Sequence, residues 1–419
     1  MSIAPQVHPL FKSPLPGNWQ IVTADAIKSP EKGACVAGPF GSDISSKYFC
    51  ESGVPVIRGN NLRRDLTRFV ADGFAFVSEE RATKYKAQHV KAGDLVFTCW
   101  GTVGQVGMIP ANGPFPEYII SNKQLKLRVD PSVTDPLYAF YYFAGPAMVD
   151  HILGKAIGAA VPGINLGILK ALPFVLPPLP VQRRIAGILS AYDELIENSQ
   201  RRIRLLEDMA RALYREWFVH FRFPGHDSVP RLPSALGDIP QGWEAGKLED
   251  VLVLQRGFDL PKAQRVEGSL PIYAATGING YHNEAKVKAP GIVTGRSGSL
   301  GEVVYVQEDF WPLNTALWVK AFPKSEPLYA YFLLSEIDLK GFNSGAAVPT
   351  LNRNDIHGLD ALIPPRELQR RFQGIAGAML RQSRTLTLQI QNLRRTRDLL
   401  LPRLLSGQVE VTRATEIAS

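Results

Sequence analysis

The chain has 419 residues, of which 45% are hydrophobic and 21% charged, and it carries a formal net charge of +8 with a pI near 9.3. A chain of this length is expected to form at least two domains, since single cores stop growing near roughly 250 residues. The composition is that of a globular protein without an apolar run long enough to span a bilayer, and the basic balance favours an anionic partner.

The N-terminal segment MSIAPQVHPLFKSPLPG has neither a basic nor a hydrophobic stretch of the kind found in export signals. The cysteines, Cys35, Cys50 and Cys99, are odd in number and lack metal-ligand spacing, which is typical of a reducing compartment. We therefore expect a cytoplasmic protein without membrane association.

Short runs of apolar and β-branched residues bounded by Gly, Asn and Pro predict β-strands. In chain order these runs are VPVIRGNN, DLVFT and QLKLRV, then LPIYAA, GIVTG, EVVYV and ALWVKAF. Between the two sets, Asp135 followed by Pro136 predicts the start of a short helix. Each half is therefore expected to be a mixed α/β unit dominated by sheet.

The pattern changes after the Pro-Pro pairs at Pro177 and Pro364, where apolar residues recur at spacings of three and four and predict two long helices. The first seam is Ile185, Ile188, Tyr192, Leu195, Ile203, Leu206, Met209, Leu213 and Trp217, and the second is Phe372, Ile375, Met379, Leu386, Ile390, Leu393 and Leu400. Two helices that each lie on their own domain would show similar spacing, but seams this narrow favour antiparallel pairing.

The charges favour the same pairing. Residues 181–222 carry eight Arg and six acids, whereas residues 366–405 carry nine Arg and two acids. We therefore expect acids of the first helix, namely Glu194, Glu197, Glu207 and Asp208, to face arginines of the second.

An internal repeat relates the two halves. The stretch GAAVPGINLGILKALPFVLPPLPVQRRIAGI from Gly158 and the stretch GAAVPTLNRNDIHGLDALIPPRELQRRFQGI from Gly345 agree at 14 of 31 positions, where unrelated sequences would agree at roughly two. The match extends to PLYAFYYFAG and PLYAYFLLSE, and it places Gly101 and Gly104 over Gly298 and Gly301. The repeat has the period of a domain.

Sequence motifs for catalysis are missing. We find no Walker loop, no Asn-Pro-Pro-aromatic methyltransferase loop, no His-rich metal cluster and no Ser/His/Asp elbow. Glu284 and Lys286 have the spacing of a nuclease pair but lack an upstream carboxylate strand. We therefore expect no catalytic and no metal site in this chain.

The run LPPLPVQRRIAGILSAYDELIENSQRRIRLLEDMARALYREWFVHFRFPG, the later LLPRLLSGQ and the doubled unit-plus-helix order resemble the specificity subunit of type I restriction–modification enzymes. The resemblance implies two target recognition domains that each read half of a bipartite double-stranded DNA target. It also implies a helical spacer that sets the gap and docks two modification subunits, which are methyltransferases that use S-adenosylmethionine. Two restriction subunits with ATP and Mg would complete such a complex.

The expected fold is thus α+β, with two similar mixed α/β target recognition domains joined by two long antiparallel coiled-coil helices in a pseudo-twofold internal repeat. The expected boundaries are 1–178 for the first recognition domain, 179–222 for the first spacer helix, 223–238 for a linker, 239–365 for the second domain, 366–406 for the second helix and 407–419 for a tail. The loop GPFGSD of the first domain has only a weak echo, RGFDLP, in the second.

DNA-contacting residues are expected on Gly-rich turns, because small neighbours let Arg, Asn and Gln approach base edges. The candidates are Arg58, Asn60, Asn61, Trp100, Thr102, Asn122, Lys123 and Gln124 in the first domain, and Arg256, Thr276, Asn279, Arg296, Ser297, Ser299 and Asn314 in the second. Any one of them could instead only satisfy a turn. Arg296 is favoured, because GRSGSLG repeats the turn CWGTVG with a guanidinium added.

Two further expectations concern partners. The apolar residues of LYREWFVHF from Leu213 exceed what one seam can bury and are expected to dock the modification subunits. The alternative function is a non-catalytic coiled-coil structural protein, or an interaction protein whose sheet units bind protein or glycan.

Overall fold

A computed structural model describes residues 6–41, 43–158, 162–345 and 347–411. The chain divides into two compact units: unit 1 comprises Met1–Glu197 and Ile390–Ser419, and unit 2 comprises Asn198–Gln389. Unit 1 is therefore discontinuous in sequence, whereas unit 2 is one contiguous segment.

Within the described residues, the elements that begin in the first segment of unit 1 are ten strands and five helices. The strands are β1 (Gln20–Thr23), β2 (Cys35–Ala37), β3 (Val54–Ile57), β4 (Ala75–Val77), β5 (His89–Val90), β6 (Leu95–Thr98), β7 (Val106–Met108), β8 (Tyr118–Ile120), β9 (Gln124–Leu127) and β10 (Pro173–Leu176). The helices are α1 (Glu79–Thr83), α2 (Pro136–Ala144), α3 (Pro146–Lys155), α4 (Leu166–Ala171) and α5 (Leu179–Tyr214), the last of which continues into unit 2.

The described part of unit 2 adds eleven strands and four helices. The strands are β11 (Arg231–Ser234), β12 (Gly237–Pro240), β13 (Glu244–Lys247), β14 (Val253–Arg256), β15 (Leu270–Ala274), β16 (Gly277–His282), β17 (Gly291–Gly295), β18 (Val303–Val306), β19 (Trp311–Pro312), β20 (Ala316–Ala321) and β21 (Asp360–Ile363). The helices are α6 (Leu248–Val251), α7 (Pro327–Glu336), α8 (Arg353–His357) and α9 (Arg366–Leu405), which continues into unit 1. None of the helices in these residues is both long and apolar enough to cross a membrane.

The two units share one sheet topology. Unit 1 has the antiparallel order β2-β9-β6-β7, and unit 2 has β14-β20-β17-β18. A second sheet contains the parallel pair β3–β8 in unit 1 and the parallel pair β15–β19 in unit 2. All seven predicted strands are confirmed, and so are the α+β class and the internal repeat.

The predicted short helix is confirmed as α2. The Asp135 carboxylate accepts hydrogen bonds from the backbone N–H groups of Leu137 and Tyr138 at 3.0 and 2.9 Å, and Pro136 occupies the first turn. From Tyr138 onward every residue of α2 is buried in the unit 1 core. Its counterpart α7 likewise begins with a proline and packs in the unit 2 core.

The glutamine of the repeated Gln-Arg pair has the same structural role at the start of each long helix. Gln182 is fully buried, accepts a hydrogen bond from the Asp135 N–H at 2.9 Å and donates to the Pro177 carbonyl at 2.8 Å. Gln369 is also fully buried and makes the equivalent bonds, from the Glu326 N–H at 2.7 Å and to the Pro364 carbonyl at 2.8 Å. Each glutamine therefore fastens a long helix to the short helix of its own unit, since buried amides require partners.

Segments of α5 and α9 pair antiparallel within each unit. In unit 1, Asp193 of α5 pairs with Arg397 of α9 at 2.6 Å, and Arg184 donates at 3.0 Å to the carbonyl of Val411, which follows α9. In unit 2, Ser383 donates to Glu207 at 2.9 Å, and the Tyr214 ring lies 6.2 Å from the Phe372 ring. Residues further along α5 therefore contact residues earlier in α9, as in an antiparallel pair.

The predicted seam is wrong at several positions. Leu195, Met209 and Ile375 are 54%, 53% and 45% exposed, whereas Leu189 and Ile196 are buried. A straight helix repeats every 3.6 residues and drifts from a strict heptad, and polar residues occupy buried positions that the apolar pattern skipped. The outer faces of α5 and α9 therefore keep large apolar side chains in contact with solvent.

One of those polar residues, Asp193, forms a buried network in unit 1. Its carboxylate binds Arg397, accepts a hydrogen bond from the Tyr141 hydroxyl and lies 3.9 Å from the Arg68 guanidinium. The side chains of Asp193 and Arg397 are each 6% exposed. This acid was not among the four expected to face α9 arginines, and the prediction missed it.

The equivalent positions of unit 2 are apolar. The repeat places Leu380 over Asp193, Ala210 over Arg397 and Phe332 over Tyr141. Leu380, Ala210 and Phe332 are all buried in the unit 2 core. The two units thus fill the same place beside the helices with opposite chemistry.

Most of the apolar surface expected at LYREWFVHF is buried, although Val219 is 48% exposed. Tyr214, Trp217 and Phe218 are 3%, 5% and 4% exposed and belong to the unit 2 core, where the Phe218 ring lies 4.9 Å from the Tyr329 ring. Aromatic side chains at the end of α5 fill the space under the unit 2 sheet, so they are unavailable to a partner.

Candidate nucleic-acid interface

A Gly-rich turn follows an inner strand of the antiparallel four-stranded sheet in each unit, β6 in unit 1 and β17 in unit 2. In unit 1, Gly101 and Gly104 have φ values of 83° and 92°, and in unit 2 Gly298 and Gly301 have φ values of 98° and 97°. Residues other than glycine rarely adopt this left-handed conformation. The alignment of these glycines in the repeat therefore reflects one turn built twice.

Each turn is clamped by the same two backbone hydrogen bonds. In unit 1 the Cys99 N–H donates to the Lys123 carbonyl at 2.8 Å, and the Ile164 N–H donates to the Cys99 carbonyl at 2.9 Å. In unit 2 the Arg296 N–H donates to Thr315 at 2.9 Å, and the Leu351 N–H donates to Arg296 at 2.8 Å. The repeated segment first seen in the sequence thus supports the turn, although its residues 159–161 and 346 lie outside the described part.

An asparagine after the parallel strand holds a neighbouring loop in both units. The Asn122 amide donates to the Gly41 carbonyl at 2.7 Å, and the Asn314 amide donates to the Asp259 carboxylate. The other end of each loop is bound through a backbone bond, Gly38 to Gln124 at 2.9 Å or Gly257 to Ala316 at 3.0 Å. The weak sequence echo between GPFGSD and RGFDLP is therefore a true structural equivalence.

We name these assemblies cradle 1 and cradle 2. Cradle 1 consists of residues 38–41, 99–104, 121–124 and 163–165, and cradle 2 of residues 257–260, 296–301, 314–316 and 350–352. Both are built mainly from backbone bonds, so side chains can differ without altering the frame.

Six of the eight candidates in unit 1 line one cavity of about 410 Å³. They are Arg58, Trp100, Thr102, Asn122, Lys123 and Gln124. Trp100 is 43% exposed, and Asn122 and Lys123 are exposed as well. The sequence analysis therefore selected residues that the fold brings together.

The structure reassigns part of that set. Asn61 is fully buried, accepts from the Arg58 N–H at 3.0 Å and donates to the carbonyls of Val70 and Asp72. Its side-chain oxygen and amide group are engaged within this loop, so Asn61 shapes the loop. Asn60 is exposed but donates to Gly73 at 3.1 Å. Gln124 lines the cavity with its side chain fully buried.

In unit 2, Arg296 and Asn314 lie within cradle 2. Arg296 donates to the Asn314 carbonyl at 3.2 Å, which fixes one edge of its guanidinium. Arg256 lies 3.8 Å from Asp259 and is 55% exposed. Ser297 and Ser299 lie on the Gly-rich turn, while Thr276 and Asn279 lie on the β15–β16 hairpin outside cradle 2.

Four side chains at the cradles were not among the candidates predicted from the sequence. Phe40 and Asp259 sit at the equivalent loop positions, Phe40 being 95% exposed. Arg64 donates to the Val103 carbonyl in the cradle 1 turn, and Lys340 would lie 2.8 Å from a Cβ at Gly301 in cradle 2. Phe40 and Asp259 lie in the two loops whose sequences echo each other only weakly, and Arg64 and Lys340 come from loops that share no motif.

The thiol within cradle 1, Cys99, is not activated as a nucleophile. Burial raises the pKa of the Cys99 thiol to about 11, so it is not a thiolate at neutral pH. The Lys286 ammonium lies 4.8 Å from the centre of the Trp311 ring, a cation–π contact. No three His, Cys, Asp or Glu side chains in the described ranges are grouped to hold a metal ion.

The sequence profile of the type I restriction modification DNA specificity domain matches residues 41–208 and 240–387, which is more than half of the chain. The chain belongs to this family. Both matched segments include most of a cradle, so the specificity subunit has two target recognition domains, in unit 1 and unit 2.

Individual relatives agree with this assignment. The specificity subunit of the type I restriction enzyme MjaIX from Methanocaldococcus jannaschii is 23% identical to this subunit over 400 residues, covering 90% of this chain and 91% of that protein. The MjaVIII specificity subunit of the same organism is 30% identical over 139 residues, or 33% of this chain and 32% of that protein. The crystal structure of the S subunit of a type I restriction–modification system from M. genitalium has the same fold, with a TM-score of 0.62, 16% identity and coverage of 96% and 99% of the two chains.

Proposed function

We propose that cradle 1 and cradle 2 each read one half of a bipartite target in double-stranded DNA. The duplicated hydrogen-bond frame carries this proposal, because one backbone arrangement presents different side chains in each unit. DNA is a near-twofold partner, so two similar domains in one chain can address it as a dimer would.

The side chains at the two cradles suit DNA in different ways. Cradle 1 offers Trp100, Asn122 and Lys123, while cradle 2 offers Arg296 and Asn314. Asparagine suits adenine and arginine suits guanine in bidentate contacts, and lysine suits a phosphate. Two unlike half-sites therefore follow from two unlike sets of donors.

The chain itself is a non-catalytic subunit in this proposal, and it acts in the cytoplasm with the DNA it reads. Two modification subunits supply the methyltransferase chemistry with S-adenosylmethionine, and two restriction subunits with ATP and Mg can join them. These partners and cofactors come from family membership.

The modification subunits dock on the outer faces of the long helices. Leu205 and Met209 lie one turn apart on α5 and are 61% and 53% exposed, and Leu388 of α9 is 48% exposed. Contiguous apolar side chains in solvent are typical of interaction surfaces. The helices also set the number of unread base pairs between the half-sites.

A salt titration tests the DNA proposal. The purified subunit with its modification partners is titrated against random duplex and against duplexes selected from a random pool, at low and moderate salt. Affinity must fall steeply with salt, because the cationic side chains of the protein release counterions from the DNA when they bind it. The selected pool must show two short blocks at a fixed spacing. Binding that ignores salt, or a pool with one block, would contradict the proposal.

A further inference from the structure

The tip of the first cradle 1 loop exposes a large apolar side chain. Phe40 is 95% exposed, although both ends of its loop are fastened, at Gly38 by the Gln124 carbonyl and at Gly41 by the Asn122 amide. A Cβ on Gly38 would lie 1.8 Å from the Ser121 carbonyl oxygen, so the loop is pressed against the sheet edge. A short, anchored loop thus holds a phenyl ring in water, which contributes nothing to folding.

Phe40 borders a cavity of about 560 Å³ that also contains Trp100, Asn122 and Lys123. Its remaining wall includes the apolar side chains of Leu125 and Ile164. Two exposed rings beside a lysine match the chemistry of a nucleotide, which has a flat apolar face and an anionic phosphate. The cavity also adjoins the candidate DNA site, since three of these side chains line both.

We infer that Phe40 is an apolar wedge that enters a base step of the half-site bound by unit 1 and partly unstacks it, with Trp100 beside the opened step. The inference rests on the proposed DNA-reading function and adds a specificity-determining residue to it. Wedges of this type kink the duplex, and they favour steps that unstack at little cost. The cost of unstacking differs between base steps, so Phe40 makes binding prefer some sequences over others at the step it enters.

The described loop of cradle 2 has no apolar side chain at the position equivalent to Phe40. Its loop occupies the same frame but carries Asp259 at the tip, where the carboxylate accepts from Asn314 and its side chain is 70% exposed. A carboxylate is repelled by phosphates and does not insert between bases. The loop of cradle 2 therefore opens no base step of the kind inferred for Phe40.

The test uses the full-length subunit assembled with its modification subunits and duplexes selected from a random pool. 2-Aminopurine replaces bases one at a time along both half-sites, and its fluorescence rises where stacking is lost. We expect a rise at one step of the unit 1 half-site that is lost in Phe40→Ala and kept in Phe40→Leu. Val133→Ala, which removes an exposed apolar side chain of unit 1 outside cradle 1, should leave the rise unchanged.

Methyltransferase partners extrude target bases and also raise 2-aminopurine fluorescence, but that signal does not depend on Phe40. A signal that is identical in the parent protein and in Phe40→Ala overturns the wedge even when binding remains specific. Loss of specific binding by the parent protein would instead contradict the proposed function. Because Phe40 makes little contact with its own fold, an unchanged melting curve for Phe40→Ala verifies that the variant is folded.

Discussion

Rebuilding the buried network of unit 1 as the apolar packing of unit 2 measures what that network contributes. The triple variant Tyr141→Phe, Asp193→Leu, Arg397→Ala gives unit 1 the residue types that unit 2 has at the equivalent positions. The single variant Arg397→Ala breaks the network instead of replacing it. The two changes are expected to differ in the size of their effect, although both remove the same ion pair.

The magnitudes follow from burial and distance. Removing one partner of a buried ion pair costs about 3–5 kcal/mol, because the other charge is left without compensation. Asp193 keeps the Tyr141 hydroxyl and Arg68 at 3.9 Å, so we expect about 3 kcal/mol for Arg397→Ala. Replacing a whole buried pair with apolar side chains is often neutral. In the triple variant Arg68 loses its partners, but its side chain is 22% exposed. Its guanidinium can therefore turn toward water at a cost of about 1 kcal/mol.

Hydrogen exchange of peptides from residues 390–405 is the assay, since this part of α9 carries Arg397. We expect the opening constant to rise by roughly two orders of magnitude in the single variant and by less than about tenfold in the triple variant. A triple variant that opens as readily as Arg397→Ala, or an Arg397→Ala variant that is indistinguishable from the parent, would contradict this role of the network.

Four further outcomes are expected. Leu205→Glu should prevent copurification with modification subunits, whereas the same change at another exposed leucine, Leu232→Glu on the β11–β12 hairpin, should not. Arg296→Ala should relax base preference in one half-site by about 1–3 kcal/mol, measured by competition between selected duplexes. Burial lowers the pKa of His8 to about 4 from an ordinary value of 6.5, so the unfolded chain binds the proton first and stability should fall by up to about 3 kcal/mol from pH 6.5 to 4. A heptad added to α5 and α9 at matched levels should lengthen the gap in selected sites by about 3 base pairs, since seven residues rise about 10 Å.

Each of these outcomes has a control or a contrary result. Arg222→Ala removes an arginine that is 56% exposed and bound to Glu216, and it should leave base preference unchanged. An equal loss on all duplexes in Arg296→Ala would assign that residue to phosphate. His8→Asn keeps an acceptor for the Leu10 and Phe11 N–H groups without a titrating ring. If the stability of this variant falls with acid as steeply as that of the parent, His8 is not the cause. A lengthened protein that keeps its original gap would show that the helices do not set it.

Regular elements could be read from the sequence because their causes are local. Strand alternation, the Asp135 cap and the paired glycines of the turns each depend on a few neighbouring residues, and each was found where predicted. The doubled Gln-Arg motif was also visible, but its reason was not. The bonds of Gln182 to Asp135 and Pro177 join segments that only the fold brings together.

The seam and the cradles show where the sequence is insufficient. In the sequence, a buried pair such as Asp193 and Arg397 cannot be distinguished from surface charges. The predicted seam therefore followed apolar residues alone and included Leu195 and Met209, which are exposed. The equivalence of Phe40 and Asp259 depends on backbone bonds that residue identity does not encode. Arg64 and Lys340 enter through loops that differ between the units.

Unit 1 is made of two stretches separated by the whole of unit 2. On a ribosome, residues 198–389 can complete their fold while unit 1 still lacks residues 390–411, so the second recognition domain is finished before the first. The same order makes residues 198–389 an exchangeable cassette. A recombination event within the two helices can replace the entire second specificity and leave every residue of the other domain in place.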